Sequence, residues 1–444
     1  MRICIIGCGF VGLTTGVTLA HLGHKVWLVE IEKKRLLLLK AGKTPFLEPG
    51  LQEMFSDNLR KKRITIGNDT KKAVEASDFI FIAVQTPIST NGEPNLDYLK
   101  SSAEAIGKAL CKNKMVIVKS TVPPGTTRNI LIPVMEKVAI LKAGKDFGVA
   151  VNPEFLQEGR AIQDSLNPSR IIVGAINNRS AKAVLNLFMK IKAKTLVTDV
   201  TTAEMIKLVS NCFLATKITF ANEIANFCEK TGTDINNVMK GVGMDPRIGD
   251  KFMKAGLGFG GSCLPKDLAA MITSVFSAGN NPILLKAVKE VNDKQPLRAI
   301  DLLNEEVGRL RGKRIAILGL AFKAGVDDIR DTRALSIANK LIESGADVVA
   351  YDPLAMDAFK SLLPNIDYAF SASEALADAD ACILQTEENE FSSLTRKDFS
   401  RMRNRIVIDG RRILAPESAK RLDIRLRAIG LPSRPDFNAS QGRE

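Results

Sequence analysis

The sequence predicts an α/β protein in which two doubly wound parallel-sheet domains are joined by a central all-α domain. Three observations predict it. Across residues 1–199, short apolar runs of strand length alternate with helix-length segments, the signature of repeated strand–helix units. Across 200–308 the text is helical in period and carries no strand-like run. From 309 to 431 the first pattern starts again, with "LIESGADVVAYDP" mirroring "LAHLGHKVWLVE": Gly345 stands as far before Asp352 as Gly23 stands before Glu30. At 444 residues the chain is too long for one ordinary core. Residues 432–444 read as a loose polar tail.

In order along the chain, "RICIIG" is a buried-strand pattern, followed by the turn "GCGFVG", a helix-like run to His21, and the strand "KVWLVE" ending in Glu30. Strand, GxGxxG, helix, strand and acid in that sequence are the dinucleotide-binding fingerprint of a Rossmann unit. Gly7, Gly9, Phe10, Val11 and Gly12 form the turn that lets backbone approach a pyrophosphate at a helix N-terminus. Glu30, at the usual remove of about 20 residues from the glycines, is expected to accept from ribose hydroxyls and to favour NAD over NADP. The neighbouring Lys33, Lys34 and Arg35 pull the other way. The opening run resembles a signal peptide in composition, but its glycines and following strand predict a folded core element. Further strands are expected in 78–84, 115–121, 147–155 and 170–175, which bring "QTP" (85–87), "STVPPG" (120–125) and "NPEFLQEG" (152–159) around one crevice. "TTAEMIKLVSNCFLATKITFANEIANFCEKTG" predicts one long helix opening on a Thr cap at 201 with a nearby Glu, and stopping at Gly232. In the second sheet domain "KRIAILGLAFK", "ACILQT" and "RIVIDG" supply strands, but the glycine fingerprint is incomplete.

Composition narrows the chemistry. The net charge of +14 favours anionic partners. Scattered Lys and Arg, 5% aromatics and no zinc-finger spacing argue for phosphorylated small molecules rather than nucleic acid. No run is long and apolar enough to span a bilayer, so no membrane partner is expected. Seven dispersed cysteines without a CxxC pair support neither a zinc site nor a disulfide framework, and suggest a reducing, cytoplasmic compartment. With only His21 and His24, acid–base work falls to carboxylates, lysine or water, and no metal is expected.

Cys263 lies in "GLGFGGSCLPKD". Gly258, Gly260 and Gly261 are expected to leave room for a ligand. Pro265 suits a first helical turn, and a cysteine just before a helix N-terminus has its thiolate stabilised by the dipole and by Lys266. These features suit a nucleophile. Lys207 and Asn211, spaced i and i+4 amid apolar neighbours, share one face of the long helix. Lys207 is either a snorkelling surface lysine or a functional charge turned into the crevice. Glu154 and Glu158 are also i and i+4. They are either solvated helix carboxylates or a water-activating group and a cofactor contact.

Taken in order, "GCGFVG", "FLEPGL", "STVPPGT", "NPEFLQEG", "AEMIKLVSN", "FANEIA", "DPRIGDKF", "GFGGSCLPKD" and "FKAGVDD" resemble the nucleotide-sugar 6-dehydrogenases of the UDP-glucose/GDP-mannose dehydrogenase family, over nearly the whole chain. The resemblance implies an NAD-binding Rossmann domain (1–199), a helical dimerisation domain (200–308) and a UDP-sugar-binding Rossmann-like domain (309–431). It implies oxidation of a sugar C6 alcohol to a carboxylate with two NAD per sugar, Cys263 holding the carbon as thiohemiacetal and thioester. UDP-glucose is the substrate it points to, with GDP-mannose, UDP-N-acetylmannosamine and a non-catalytic nucleotide sensor kept open. By the same resemblance, Lys207 and Asn211 stabilise the oxyanion, Asp267 joins their polar cluster and Glu154 assists water. Glu158, Thr86, Thr121, Lys266 and Arg330 meet NAD beside Glu30 and Arg35. Glu154, Phe155, Leu156, Lys207, Asn211, Phe252, Met253, Lys254, Ala255, Gly256, Gly260, Lys323 and Arg411 meet the sugar nucleotide, and Arg247 reaches a neighbouring subunit of a homodimer or higher oligomer. One departure is Glu30, where the family usually has Asp.

Overall fold

A computed structural model describes residues 1–89 and 93–432; the tail expected from 432 lies, past Pro432, outside the described residues. The chain forms two compact units, one of Met1–Ser210 with Ala269–Asn280, the other of Asn211–Leu268 with Asn281 onward.

The first unit is built on β1 (Arg2–Ile6), β2 (Lys25–Val29), β3 (Ile64–Gly67), β4 (Phe79–Ile82), β5 (Met115–Val118), β6 (Gly148–Val151), β7 (Arg170–Ala175) and β8 (Lys194–Thr198). Their order is β3-β2-β1-β4-β5-β6-β7-β8. The first six in that order are parallel, and β7 then pairs antiparallel to β6. Successive side chains of a strand face opposite ways. Ile3 and Ile5 accordingly enter one apolar cluster with Leu13, Val17 and Leu28, while Cys4 and Ile6 enter another with Val116 and Val118. Each such aliphatic side chain stabilises the fold by roughly 1.5–3 kcal/mol on burial. The helix Phe10–His21 lies so close to the sheet that a Cβ on Gly16 would stand 2.5 Å from Leu28 Cδ2.

The second unit carries β9 (Arg314–Leu318), β10 (Asp347–Tyr351), β11 (Asp367–Tyr368), β12 (Ala381–Leu384), β13 (Ile406–Asp409) and β14 (Arg425–Ala428). All are parallel, in the order β11-β10-β9-β12-β13-β14. This repeats the doubly wound arrangement of β3-β2-β1-β4-β5-β6 in the first unit. Ile315 and Ile317 face one cluster, Ala316 and Leu318 the other.

Between β8 and β9 the described elements are helices: Val200–Thr231, Ile235–Gly243, Leu264–Ser277, Ile283–Lys294 and Leu297–Val307. The long helix ends before Gly232, whose φ of 75° lies in the left-handed region that favours glycine. Its start differs from the expected Thr cap. Asp199 Oδ1 accepts from the amides of Thr201 and Thr202, and the helix begins at Val200. Among the described residues no helix is long and apolar enough to cross a membrane.

Candidate active site

The glycine turn of the first unit is shaped by contacts that exclude side chains. Gly7 has φ 91°, and a Cβ there would stand 2.8 Å from Ala83 O; one on Gly12 would stand 1.9 Å from Gly7 O. Gly9 is different: a Cβ meets nothing within 4 Å. Gly9 is also the N-cap of helix Phe10–His21 and supplies no side-chain cap. Tight packing on one side and bare helix amides on the other make an anion cradle, which fits the pyrophosphate of NAD. Phe10 and Val11 are half-buried beside it, Phe10 against Phe46 at 5.1 Å between ring centres. Glu30 is buried. Its carboxylate accepts from the amides of Cys8 (3.1 Å), Ile31 (2.8 Å) and Glu32 (2.9 Å) and from Arg35 Nη1 (3.0 Å). These four donors match the lone-pair sites of a carboxylate, so Glu30 and Arg35 tie the turn to the next helix.

Polar groups gather past the carboxyl ends of β4, β5 and β6. Thr86 Oγ1 donates to Thr121 O at 2.9 Å. Glu154, 6% exposed, pairs through Oε1 with Lys207 Nζ at 2.8 Å and accepts the Leu156 amide on Oε2 at 2.6 Å. Lys207 is thus a buried, paired charge, not a snorkelling one. Burial works against the Glu154 carboxylate, but the Lys207 ammonium, the Leu156 amide and the charge of Lys119 outweigh it and hold its pKa below the ordinary value. Phe155 is covered by Arg170, whose guanidinium lies 3.9 Å from the ring centre. The helical i, i+4 relation proposed for Glu154 and Glu158 does not exist. Asn152 and Pro153 follow β6, residues 152–157 lie in neither helix nor strand, and Glu158 stands in the turn after them.

Three functional candidates of this unit escaped the sequence reading. Lys119 and Asn152 are buried at the ends of β5 and β6, with Lys119 Nζ 3.0 Å from Asn152 Oδ1. A polar residue just past an apolar strand run was the available signal. Glu204 sits where the helix cap was sought, but it accepts instead from the amides of Gly125 (2.6 Å) and Thr127 (2.8 Å). It fixes the "STVPPGT" loop from another element, and burial pushes its pKa up to about 7.

In the second unit Cys263 is exposed and immediately precedes the helix Leu264–Ser277, whose Asp267 amide donates to Cys263 O at 2.9 Å. The thiol therefore stands at a helix N-terminus, where a thiolate is favoured. Asp267, 1% exposed, accepts from Asn211 Nδ2 at 2.6 Å and from Lys266 Nζ at 2.5 Å. The long helix Val200–Thr231 carries both Lys207 and Asn211, one turn apart.

The glycines before Cys263 do not leave open space for a ligand. A Cβ on Gly258 would meet Asn292 Oδ1 at 2.9 Å, on Gly260 Asp331 O at 2.2 Å, and on Gly261 the Phe322 ring at 2.8 Å. Their lack of side chain lets this loop pack against its own unit. Gly256 likewise lies against Gly410 and Arg411, its amide donating to Asn222 Oδ1 at 2.8 Å. Met253 and Ala255 are buried, while Phe252 is held at φ 63°. Lys254 is solvent-exposed, 3.9 Å from Glu387. Arg411 donates through Nε to Gln385 O at 2.7 Å, and Lys323 Nζ stands 5.6 Å from the Phe322 ring centre. Arg330 and Arg247 are exposed, each paired with a nearby aspartate at 2.6 Å, Asp328 and Asp245. All seven cysteines are free thiols.

Three consecutive family models match the chain. Residues 1–192 match the NAD binding domain of the UDP-glucose/GDP-mannose dehydrogenase family, 201–294 its central domain, and 316–416 its UDP binding domain. The chain belongs to the UDP-glucose/GDP-mannose dehydrogenase family. It is an NAD-dependent dehydrogenase. It is 42% identical over 422 residues to UDP-glucose 6-dehydrogenase AglM of Haloferax volcanii, spanning 93% of this chain and 97% of the relative. To UDP-glucose 6-dehydrogenase TuaD of Bacillus subtilis it is 40% identical over 434 residues, 97% of this chain and 94% of the relative. Its fold is similar to that of a UDP-glucose dehydrogenase from Pyrobaculum islandicum, with TM-score 0.90 and 36% identity over 97% of each chain.

Proposed function

We propose that this family member oxidises the C6 alcohol of UDP-glucose to the carboxylate of UDP-glucuronate through a covalent intermediate on Cys263. The observation that carries the reading is the exposed Cys263 thiol at a helix N-terminus, beside Asp267 held by Asn211 and Lys266. NAD, when bound, accepts one hydride in each of two oxidations. In the first, the C6 hydroxyl loses its proton and a hydride, giving the aldehyde. The Cys263 sulfur then adds to that carbonyl, and the carbonyl oxygen takes a proton to give a thiohemiacetal. Loss of a second hydride and the hydroxyl proton leaves a thioester. Water attacks it, releasing the carboxylate and the thiol. A free aldehyde has no good hydride to give unless it is hydrated or captured, and capture also stops a reactive species escaping.

Lys207 stabilises the oxyanion of the tetrahedral species, with Asn211 and Asp267 fixing the polar cluster. Glu154 takes the proton of the hydrolytic water. Arg35, Thr86, Thr121, Glu158, Lys266 and Arg330 serve NAD, and Glu30, its lone pairs taken by protein donors, serves it by holding the glycine turn; Lys323, Arg411 and the stretch 252–256 serve the sugar nucleotide. The domain limits that go with this reading are 1–199, 200–308 and 309–431. A second copy of the chain covers the central helices, where Phe213, Phe220 and Phe227 recur every seventh residue and are 64%, 51% and 62% exposed. Arg247 reaches the site of that copy. The product fits a role in polysaccharide biosynthesis in the cytoplasm.

The test is the NADH yield per mole of sugar with UDP-glucose, UDP-galactose, GDP-mannose and UDP-N-acetylmannosamine. Two NADH per UDP-glucose, with little turnover of the others, is the expected result. One NADH per sugar, or preference for another nucleotide sugar, overturns the reading in mechanism or in substrate.

A further inference from the structure

Lys119 is a buried titratable group that the proposed chemistry leaves without a task. It follows β5 directly, and its Nζ donates to Asn152 Oδ1 at 3.0 Å. Asn152 is itself buried, follows β6, and donates through Nδ2 to Ile172 O at 2.8 Å. The ammonium is therefore fixed to the base of the loop that carries Glu154, two residues on. From the long helix, Lys207 holds Glu154 Oε1 at 2.8 Å. Two ammonium groups and one carboxylate thus lie buried within reach of one another's charge, with Lys119 9%, Lys207 4% and Glu154 6% exposed. A buried ammonium whose direct partner is an amide oxygen is costly to keep. Burial lowers the Lys119 pKa to about 8; Lys207 repels its charge and Glu154 attracts it. Glu154 in turn is held ionised by both lysines. Arg170, the cation on the packed strand β7, is turned to the Phe155 ring and to Ser210 Oγ at 3.2 Å.

The pairing exposes a conflict in the reaction, on the reading given above. Lys207 has to serve the sugar oxyanion, yet it is also the partner that keeps Glu154 ionised. A buried carboxylate that loses its counter-charge takes up a proton and is useless as a base. We propose that Lys119 is a positioning residue: pinned by Asn152, it keeps Glu154 ionised while Lys207 attends to the substrate, so that thioester hydrolysis follows oxidation without a proton being taken up first.

The experiment is the pH profile of kcat for the full chain with saturating NAD and UDP-glucose, comparing wild type with Lys119→Met, Lys119→Arg and Asn152→Ala. Removing the charge makes Glu154 harder to ionise, so the acidic limb of Lys119→Met moves to higher pH. A move of one pH unit lowers the rate on that limb about tenfold. Lys119→Arg returns the limb towards wild type, a recovery that a purely space-filling role would not give. Asn152→Ala, which frees the ammonium without removing it, moves the limb the same way by less, and carries the test if Lys119→Met fails to fold. An unmoved limb in the folded variants, with wild type still giving two NADH per sugar, overturns the role of Lys119 alone. One NADH per sugar in wild type overturns the underlying reading together with it.

Discussion

The two sheets of this chain open on the same turn and put it to different use. Gly7 and Gly319 both follow the first strand of their sheet with positive φ, 91° and 99°. Both amides donate to the last residue of the next strand, Val29 O at 2.9 Å and Tyr351 O at 2.8 Å. Each turn is also tied to an acid just past that strand, Glu30 or Asp352. After Gly7 the helix begins within three residues, at an uncapped Gly9 open to ligand. After Gly319 the chain runs through a loop, and the helix starts at Arg333 under a cap from Thr332 itself. A Cβ on Gly319 would stand 2.1 Å from Thr386 Oγ1, so this glycine serves packing. The comparison teaches that a strand–turn–acid frame does not by itself make an anion site at a helix N-terminus. Such a site needs helix amides left without an internal partner, and in the second unit the Thr332 hydroxyl takes the Ala334 amide.

The sharpest way to break the comparison is inside the first turn. Gly12→Ala places a methyl 1.9 Å from Gly7 O, and overpacking of this kind costs about 1–3 kcal/mol or more. Loss of detectable NAD binding with a lowered melting temperature is expected. Gly9→Ala, with open space around it, leaves the melting temperature within about a degree or two, a stability change below about 0.5 kcal/mol, yet weakens NAD in a fluorescence titration. Equal effects of the two would refute the distinction.

Asp352→Asn tests the other frame. Asp352 accepts from the amides of Leu320, Ala321, Leu354 and Ala355. Turning one oxygen into a donor strands buried amides and costs about 1–3 kcal/mol. Chemical denaturation should report that loss, while affinity for NAD stays unchanged. Thr332→Ala, which removes the internal cap, is expected to cost about 1 kcal/mol.

The smallest effect is a pH dependence of the first unit. The Glu204 pKa rises with burial from 4.5 to about 7 in the fold. Between those values the folded chain binds more protons at this group than the unfolded one. Its contribution to stability is therefore complete below the lower value and is lost as pH rises through the upper one. Glu204→Gln, with its amide replacing the protonated acid, flattens this part of a melting-temperature-against-pH curve. Retention of the slope would assign it to other groups.

What the sequence revealed follows burial. The central strands are apolar runs and were legible: "RICII", "MVIV", "RIAIL", "ACIL". The unrecognised strands β3, β8, β11 and β14 are the four outer strands of the two sheets. An edge is covered less, so "KTLVT" is largely exposed and carries little apolar pattern. The reversal of β7 was hidden because direction lies in the connection, here with only the short helix Ala161–Leu166, rather than in the strand's own residues. Among the candidate residues, Cys263 stood out by type and context, while spacing alone left Lys207 open between a surface and a buried role. Lys119 and Asn152 did not stand out, since each looks like the polar end of a strand until the fold brings them to Glu154. The glycines near Cys263 misled in a useful way: their spacing signalled close approach, but the partner is Phe322, Asp331 and Asn292 of the same unit.

The central claim is that one sulfur carries the sugar between two oxidations. Its most direct measurement is peptide mass spectrometry of the Glu154→Gln variant quenched during turnover of UDP-glucose with NAD. The account predicts a sugar-nucleotide acyl adduct on the peptide containing Cys263 and none on the one containing the other exposed thiol, Cys111. Full conversion to the acid by Cys263→Ser, with no adduct trapped in Glu154→Gln, would contradict it.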